Sequence, residues 1–161
     1  MRLHLFQPTC LAAIAVAFAV PAQAQEWYAR ESPLMPQSGQ DAAMCHLSSG
    51  EEPPIVFFTF EKERTRFAVI AEEFRSRDDI AEYSGTLPSG ASVTMTLGAN
   101  PDLGAAVLDL ADREVGLSLV DHFRIEGEFG LSGSGVQIAI PALPSANHSI
   151  ARLLKCLEAL G

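Results

Sequence analysis

The sequence predicts an α+β domain, mainly antiparallel β, with about six to eight short strands in a sandwich or curved sheet and one amphipathic helix docked at its C-terminus. Three observations carry this. Short apolar or alternating runs recur between turn-forming clusters of Gly, Pro, Ser and Asn. One segment, Ser92–Leu97, alternates Ser, Thr and Thr against Val, Met and Leu, as in a sheet with one wet face. The last fifteen residues change period, placing Ile150, Leu153, Leu154, Leu157 and Leu160 on one helical stripe.

The chain opens on a different kind of segment. Arg2 precedes the unbroken apolar run Leu11–Val20, which Pro21 ends and Ala22-Gln23-Ala24 follows. That is the layout of a cleavable export signal, with small residues where a signal peptidase cuts. The run is too short to span a bilayer, which takes roughly 20 residues. The expected product therefore begins at Gln25, after cleavage behind Ala24, and residues 25–161 form a single periplasmic or secreted domain. Cys10 precedes the apolar run rather than following it, so a lipid anchor is not expected.

Removing the leader removes Arg2 and no acid, leaving 10 basic residues against 20 acidic ones in a chain whose full net charge is −9. Such a chain is repelled by nucleic acid and by anionic headgroups, so no nucleic-acid partner is expected. Two cysteines remain, Cys45 and Cys156. In an oxidising compartment an even pair argues for a disulfide that joins the start of the domain to its end.

The elements follow in order. A short strand is expected around Trp27–Arg30, then a loop containing Pro33, Pro36 and Gly39, then a strand over Ala42–Leu47. Ile55–Phe60 (IVFFTF) is apolar, aromatic and β-branched, which predicts a strand buried on both faces. Glu61–Arg66 reads as a charged connection. Phe67–Phe74 reads as the returning strand, with Phe67, Val69 and Ala71 on one face, and a helix over Arg64–Phe74 as the alternative, since Ala and Glu are good helix formers. Arg75–Glu82 is expected to be a loop or helical turn, and Thr86–Gly90 and Gly98–Gly104 turns. Ala105–Ala111 fits either a strand or a short helix.

Val115, Leu117 and Leu119 alternate with small residues, and Phe123, Ile125 and Phe129 follow among Arg124, Glu126 and Glu128. Both segments are expected as strands, with a helix over Leu117–Ile125 as the competitor. Gly130–Gly135 reads as a flexible turn before a strand carrying Val136, Ile138 and Ile140. Pro141 and Pro144 are expected to stop that strand. Ser145 or Asn147 is placed to cap the final helix, spanning 146–160. Cys156 falls on the flank of its apolar stripe, where a bridge to Cys45 can form without distorting the core.

No catalytic signature emerges. Ser132 lies in Gly130-Leu131-Ser132-Gly133-Ser134, which lacks the second glycine and the strand-to-helix setting of a nucleophile elbow. Gly133 and Gly135 lack the third glycine and the helix of a dinucleotide loop. His46, His122, His148, Cys45 and Cys156 show neither CxxC nor HxxxH spacing, so neither a metal nor a cofactor is expected. Neighbouring acids such as Glu72-Glu73 and Asp78-Asp79 diverge on either element type. Trp27 and Tyr28 offer a possible binding surface, or else a strand that anchors the new N-terminus.

The aromatic near the mature start, Trp27, the early Cys45, the strand Val136-Gln137-Ile138-Ala139-Ile140 and the helix residues Ile150, Leu153 and Cys156 resemble small exported proteobacterial proteins. These include the invasion-associated locus B family and some type VI secretion accessory proteins. The resemblance implies a periplasmic β-rich domain with no known active site to carry over. The functional expectation is a non-enzymatic soluble module that binds a periplasmic protein or envelope component, with no membrane anchor after cleavage. The alternative is a small periplasmic hydrolase or protease-inhibitor-like β domain, which requires two or more of Glu72, Asp78, His122 and Ser132 in one pocket.

Overall fold

The computed structural model of the chain describes residues 26–33 and 43–161. The expected leader Met1–Ala24 and its cleavage site at Ala24 and Gln25 lie outside the described residues. Among the described residues nine strands form a single sheet: β1 (Tyr28–Pro33), β2 (Ala43–Ser48), β3 (Ile55–Phe60), β4 (Thr65–Ile70), β5 (Ile80–Thr86), β6 (Ser92–Asn100), β7 (Ala105–Leu110), β8 (Gly127–Gly133) and β9 (Val136–Leu143). Their order is β1-β2-β3-β4-β7-β6-β5-β8-β9, and every pairing is antiparallel. A single 3₁₀ turn, Glu72–Phe74, follows β4. Helix α1 (Arg113–Asp121) joins β7 to β8, and α2 (Asn147–Leu160) ends the chain.

Antiparallel partners share a face, so the register sorts the side chains. Cys45, Leu47, Phe58, Phe60, Phe67, Val69, Met95, Leu97, Phe129, Leu131 and Ile138 all fall on the inner face and are buried. Phe67 of β4 and Phe129 of β8 lie with ring centroids 6.4 Å apart, although β7, β6 and β5 stand between them in the sheet. The sheet therefore rolls on itself around an aromatic core, where Phe123 touches Trp27, Phe58 and Phe129.

The roll meets at its ends through side chains rather than strand pairing. The Trp27 Nε1–H donates to the Pro144 carbonyl at 2.7 Å, and the Ser149 hydroxyl donates to the Trp27 carbonyl at 2.7 Å. Helix α2 packs along β1 and β2 with Ile150, Leu153 and Leu157 buried. The Cys45–Cys156 disulfide fastens it there, across 111 residues of sequence.

Several boundaries differ from the sequence reading. Residues Val115, Leu117 and Leu119 lie in α1, not a strand. Asp112 caps the helix by accepting the Val115 N–H at 2.9 Å, and Gly116 and Val120, four apart, form the buried face. Phe123 is a core residue in the turn after α1, while Ile125 is exposed, so β8 starts only at Gly127. The strand expected to run to Phe74 ends at Ile70 and gives way to the 3₁₀ turn, which aims Phe74 at Tyr83 in the core.

Ile80–Glu82, expected within a loop or helical turn, opens β5, whose only large buried side chain is Tyr83. Gly130–Gly133 belong to β8. The turn is only Ser134-Gly135, whose φ angles of 50° and 80° are those of a two-residue hairpin. Pro141 does not stop β9, because on an edge strand its missing N–H faces away from β8. The N-cap of α2 is Ala146, wholly buried, and the Ser145 hydroxyl beside it accepts the Asn147 N–H at 3.3 Å.

Candidate functional site

The outer face of the sheet carries two adjacent rows. One runs Tyr28, Ser48, Phe57, Ala68, Val107, Gly98, Ile80 across seven strands, each residue opposite the next. Apart from Ser48 and the polar edge of Tyr28 it is apolar. It ends on Ile80, which is 77% exposed. The neighbouring row runs Arg30, His46, Thr59, Arg66, Asp109. The outer side of the sheet is thus an apolar stripe beside a charged one.

At the β1 end the two rows meet in an aromatic group. His46 stacks on Phe57 with centroids 5.4 Å apart and planes 24° apart, and meets Tyr28 edge-on at 6.1 Å. The Arg30 guanidinium sits 4.8 Å above the Tyr28 ring and 3.7 Å from the Glu51 carboxylate. Burial, and then the Arg30 charge, lower the His46 pKa, so the imidazole is neutral at pH 7. Further along, Arg64 forks onto Asp109 with bonds of 2.8 and 2.9 Å and holds that carboxyl below its usual range. Arg66 donates to Glu61 at 2.8 Å. These planar faces with charges at the margin can seat an apolar segment and select its flanking charge.

Of the expected surface pair, only Tyr28 reaches the outer face. Trp27 is 8% exposed, packs edge-on against Phe123 and spends its indole N–H on Pro144, so it belongs to the core. Phe57, Ile80, Arg30 and His46 were not singled out for binding by sequence reasoning. The signal that could have found Phe57 was the unbroken run IVFFTF, which leaves an apolar residue on each face of β3.

The four residues on which a hydrolase would depend are not joined by any hydrogen bond or ion pair among the described residues. Glu72 pairs with Arg75 at 2.9 Å, Ser132 stands opposite Ser84 and Gln137 on β8, and Asp78 precedes β5. His122, at the end of α1, meets Ser89 instead, with 2.7 Å between Nδ1 and Oγ. The amides around Ser89 are committed, Gly90 N–H to the Leu87 carbonyl and Ala91 N–H to the Ser89 hydroxyl itself. His46 and His148 lie on β2 and α2. No group of three or more His, Cys, Asp or Glu among the described residues can hold a metal ion.

A second fork, unmarked by any sequence motif, joins Arg77 to both oxygens of Asp79, at 2.9 and 2.7 Å, and to the Ser134 carbonyl at 2.7 Å. It depresses the Asp79 carboxyl and ties the β8–β9 hairpin to the start of β5. Among the described residues no helix is long and apolar enough to cross a membrane. No family model, curated protein or solved structure matches the chain.

Proposed function

We propose that the chain is an exported, non-enzymatic binding module of the periplasm whose outer apolar row receives a protein partner or envelope component. The observation that carries this reading is the row from Tyr28 to Ile80, with Phe57 and His46 stacked at one end and a 77% exposed Ile80 at the other. Along this row Ile80 is exposed and Tyr28, Phe57, Val107 and Gly98 are half-buried, while Ser48 and Ala68 are buried; apolar side chains aligned across a sheet and reached by solvent mark contact surfaces more often than isolated ones do. The leader-like N-terminus and the Cys45–Cys156 bridge support the compartment.

The test is a photo-crosslinking residue placed at Phe57 or Ile80 in exporting cells, with Thr94, an exposed outer residue of β6 off the row, as reference. A discrete adduct from the first two positions and none from Thr94 supports the reading. No adduct from Phe57 or Ile80, or the same adducts from Thr94, overturns it.

The hydrolase reading has one observation in its favour, the Ser89–His122 contact. Labelling of Ser89 by a fluorophosphonate, abolished in His122→Ala, would revive it.

A further inference from the structure

The two edges of the sheet differ. Edge strand β1 (YARESP) carries Arg30, Glu31 and Pro33, and α2 packs along it. Edge strand β9 (VQIAIPAL) carries no charge over eight residues, and no described element beyond β8 pairs with it. Charges, prolines and covering elements are what normally keep an edge from pairing with another chain. On β9 such protection is confined to its C-terminal end, at Pro141 and the register shift opposite Glu128.

The hairpin fixes which backbone groups are free. Its two-residue turn makes Gly133–Val136 the first hydrogen-bonded pair, so Val136, Ile138 and Ile140 bond to β8. Gln137, Ala139 and Pro141 direct their backbone groups away from β8. All three are exposed, and the Gln137 and Ala139 N–H groups have no partner among the described residues.

We infer that β9 pairs antiparallel with β9 of a second copy, forming a two-fold dimer with a continuous sheet. A two-fold axis through Ile138 sets Gln137 against the partner's Ala139 and satisfies the N–H and C=O of both, twice over. Pro141, which has no N–H to give, falls outside these four bonds. The contact is self-complementary and closes on itself, as a two-fold interface must. A second copy is favoured over a foreign strand because Gln137 and Ala139 answer each other's free backbone groups about the axis, and the pairing brings no charged side chain of β9 against another in a chain of net charge −9. Glu128 of β8 lies where the β8–β9 register shifts, between the Phe129–Ile140 and Gly127–Leu143 pairs, away from the Ile138 axis. The inner rows bring Val136 towards the partner's Ile140 and extend the apolar core.

The test is sedimentation of the mature protein over a wide concentration range, with two variants. Ala139→Pro removes one outward N–H per copy at a position equivalent to Pro141, and Ala139→Lys places a charge beside the axis. The expected result is a monomer–dimer equilibrium in the parent. In each variant the half-dimer concentration rises by at least about tenfold, with an unchanged circular dichroism spectrum. If Ala139→Pro fails to fold, Ala139→Lys decides alone. A parent that stays monomeric throughout, or a dimer indifferent to both substitutions, overturns the inference.

Discussion

Opening the Cys45–Cys156 bridge is the perturbation whose size follows most directly from the fold. The bridge closes a loop of 111 residues. Chain-entropy arguments give a loop of that length about 5 kcal/mol of stabilisation at 25 °C, through the unfolded state, as a ceiling, and native bridges typically contribute roughly 2–4 kcal/mol. An unfolding entropy of about 2.1 cal/mol/K per residue gives the 127 described residues roughly 0.27 kcal/mol/K. Reduction should therefore lower Tm by about 7–15 °C.

The native state should survive reduction, because α2 is also held by Ile150, Leu153 and Leu157 and by the Ser149–Trp27 hydrogen bond. The assay is thermal unfolding by circular dichroism, with and without reductant, beside Cys45→Ala, Cys156→Ala and the double variant. Each single variant should cost nearly as much as the double, since either one abolishes the bridge. Cys45 is wholly buried, so alanine, which leaves no unsatisfied polar group, is the right replacement. A shift below about 3 °C on full reduction, or additive costs for the two single variants, would refute the reasoning.

Two further outcomes are expected. Gly116→Ala should destabilise by about 1–2 kcal/mol, although alanine in a helix normally gains up to ~1 kcal/mol. The new Cβ would stand 2.5 Å from Thr65 Cγ2 and 2.9 Å from Phe60 Cε1, both on buried residues. A rise in the urea midpoint would contradict the packing of α1. Stability should also fall as pH drops through about 6.5. The unfolded chain binds a proton at His46 before the folded one, whose pKa is lowered. His46→Gln should flatten that limb of a urea-midpoint titration while leaving the loss at lower pH, where the depressed Asp79 and Asp109 carboxyls take up protons. Equal midpoints for the parent at pH 7.5 and 5.5 would remove His46 from the account.

Fold class, the cysteine pairing and the last helix were legible because each leaves a local mark: the alternation of Ser92–Leu97, two cysteines for one bond, and a 3.6-residue stripe. Helix α1 was hidden because Gly116 and Ser118 imitate a strand's period. Its real signal was polar, Asp112 as cap and Glu114 in the first turn. Strand β5 was hidden because most of its burial comes from partners rather than from its own side chains. The outer row could not be read in advance. Its seven residues come from seven strands, and only the register sets them side by side. Trp27 shows the converse, an aromatic just before β1 that is fastened to residues 117 and 122 positions away.

That fastening makes the described chain close to a ring. Its first strand and last helix are neighbours that run the same way, Ser149 beside Trp27 and Cys156 bonded to Cys45 opposite Glu31, so a linker from residue 161 to residue 26 has to run back along α2, roughly 18 Å at 1.5 Å per residue, before new ends can be cut elsewhere. The Ser134-Gly135 turn, exposed and two residues long, is the natural place to cut. It also orders events in time. The bridge cannot close until the final helix has been delivered, so until then Cys45 must wait as a thiol or be held by an oxidant. The closed bridge is then a record that the chain has been delivered at least as far as Cys156.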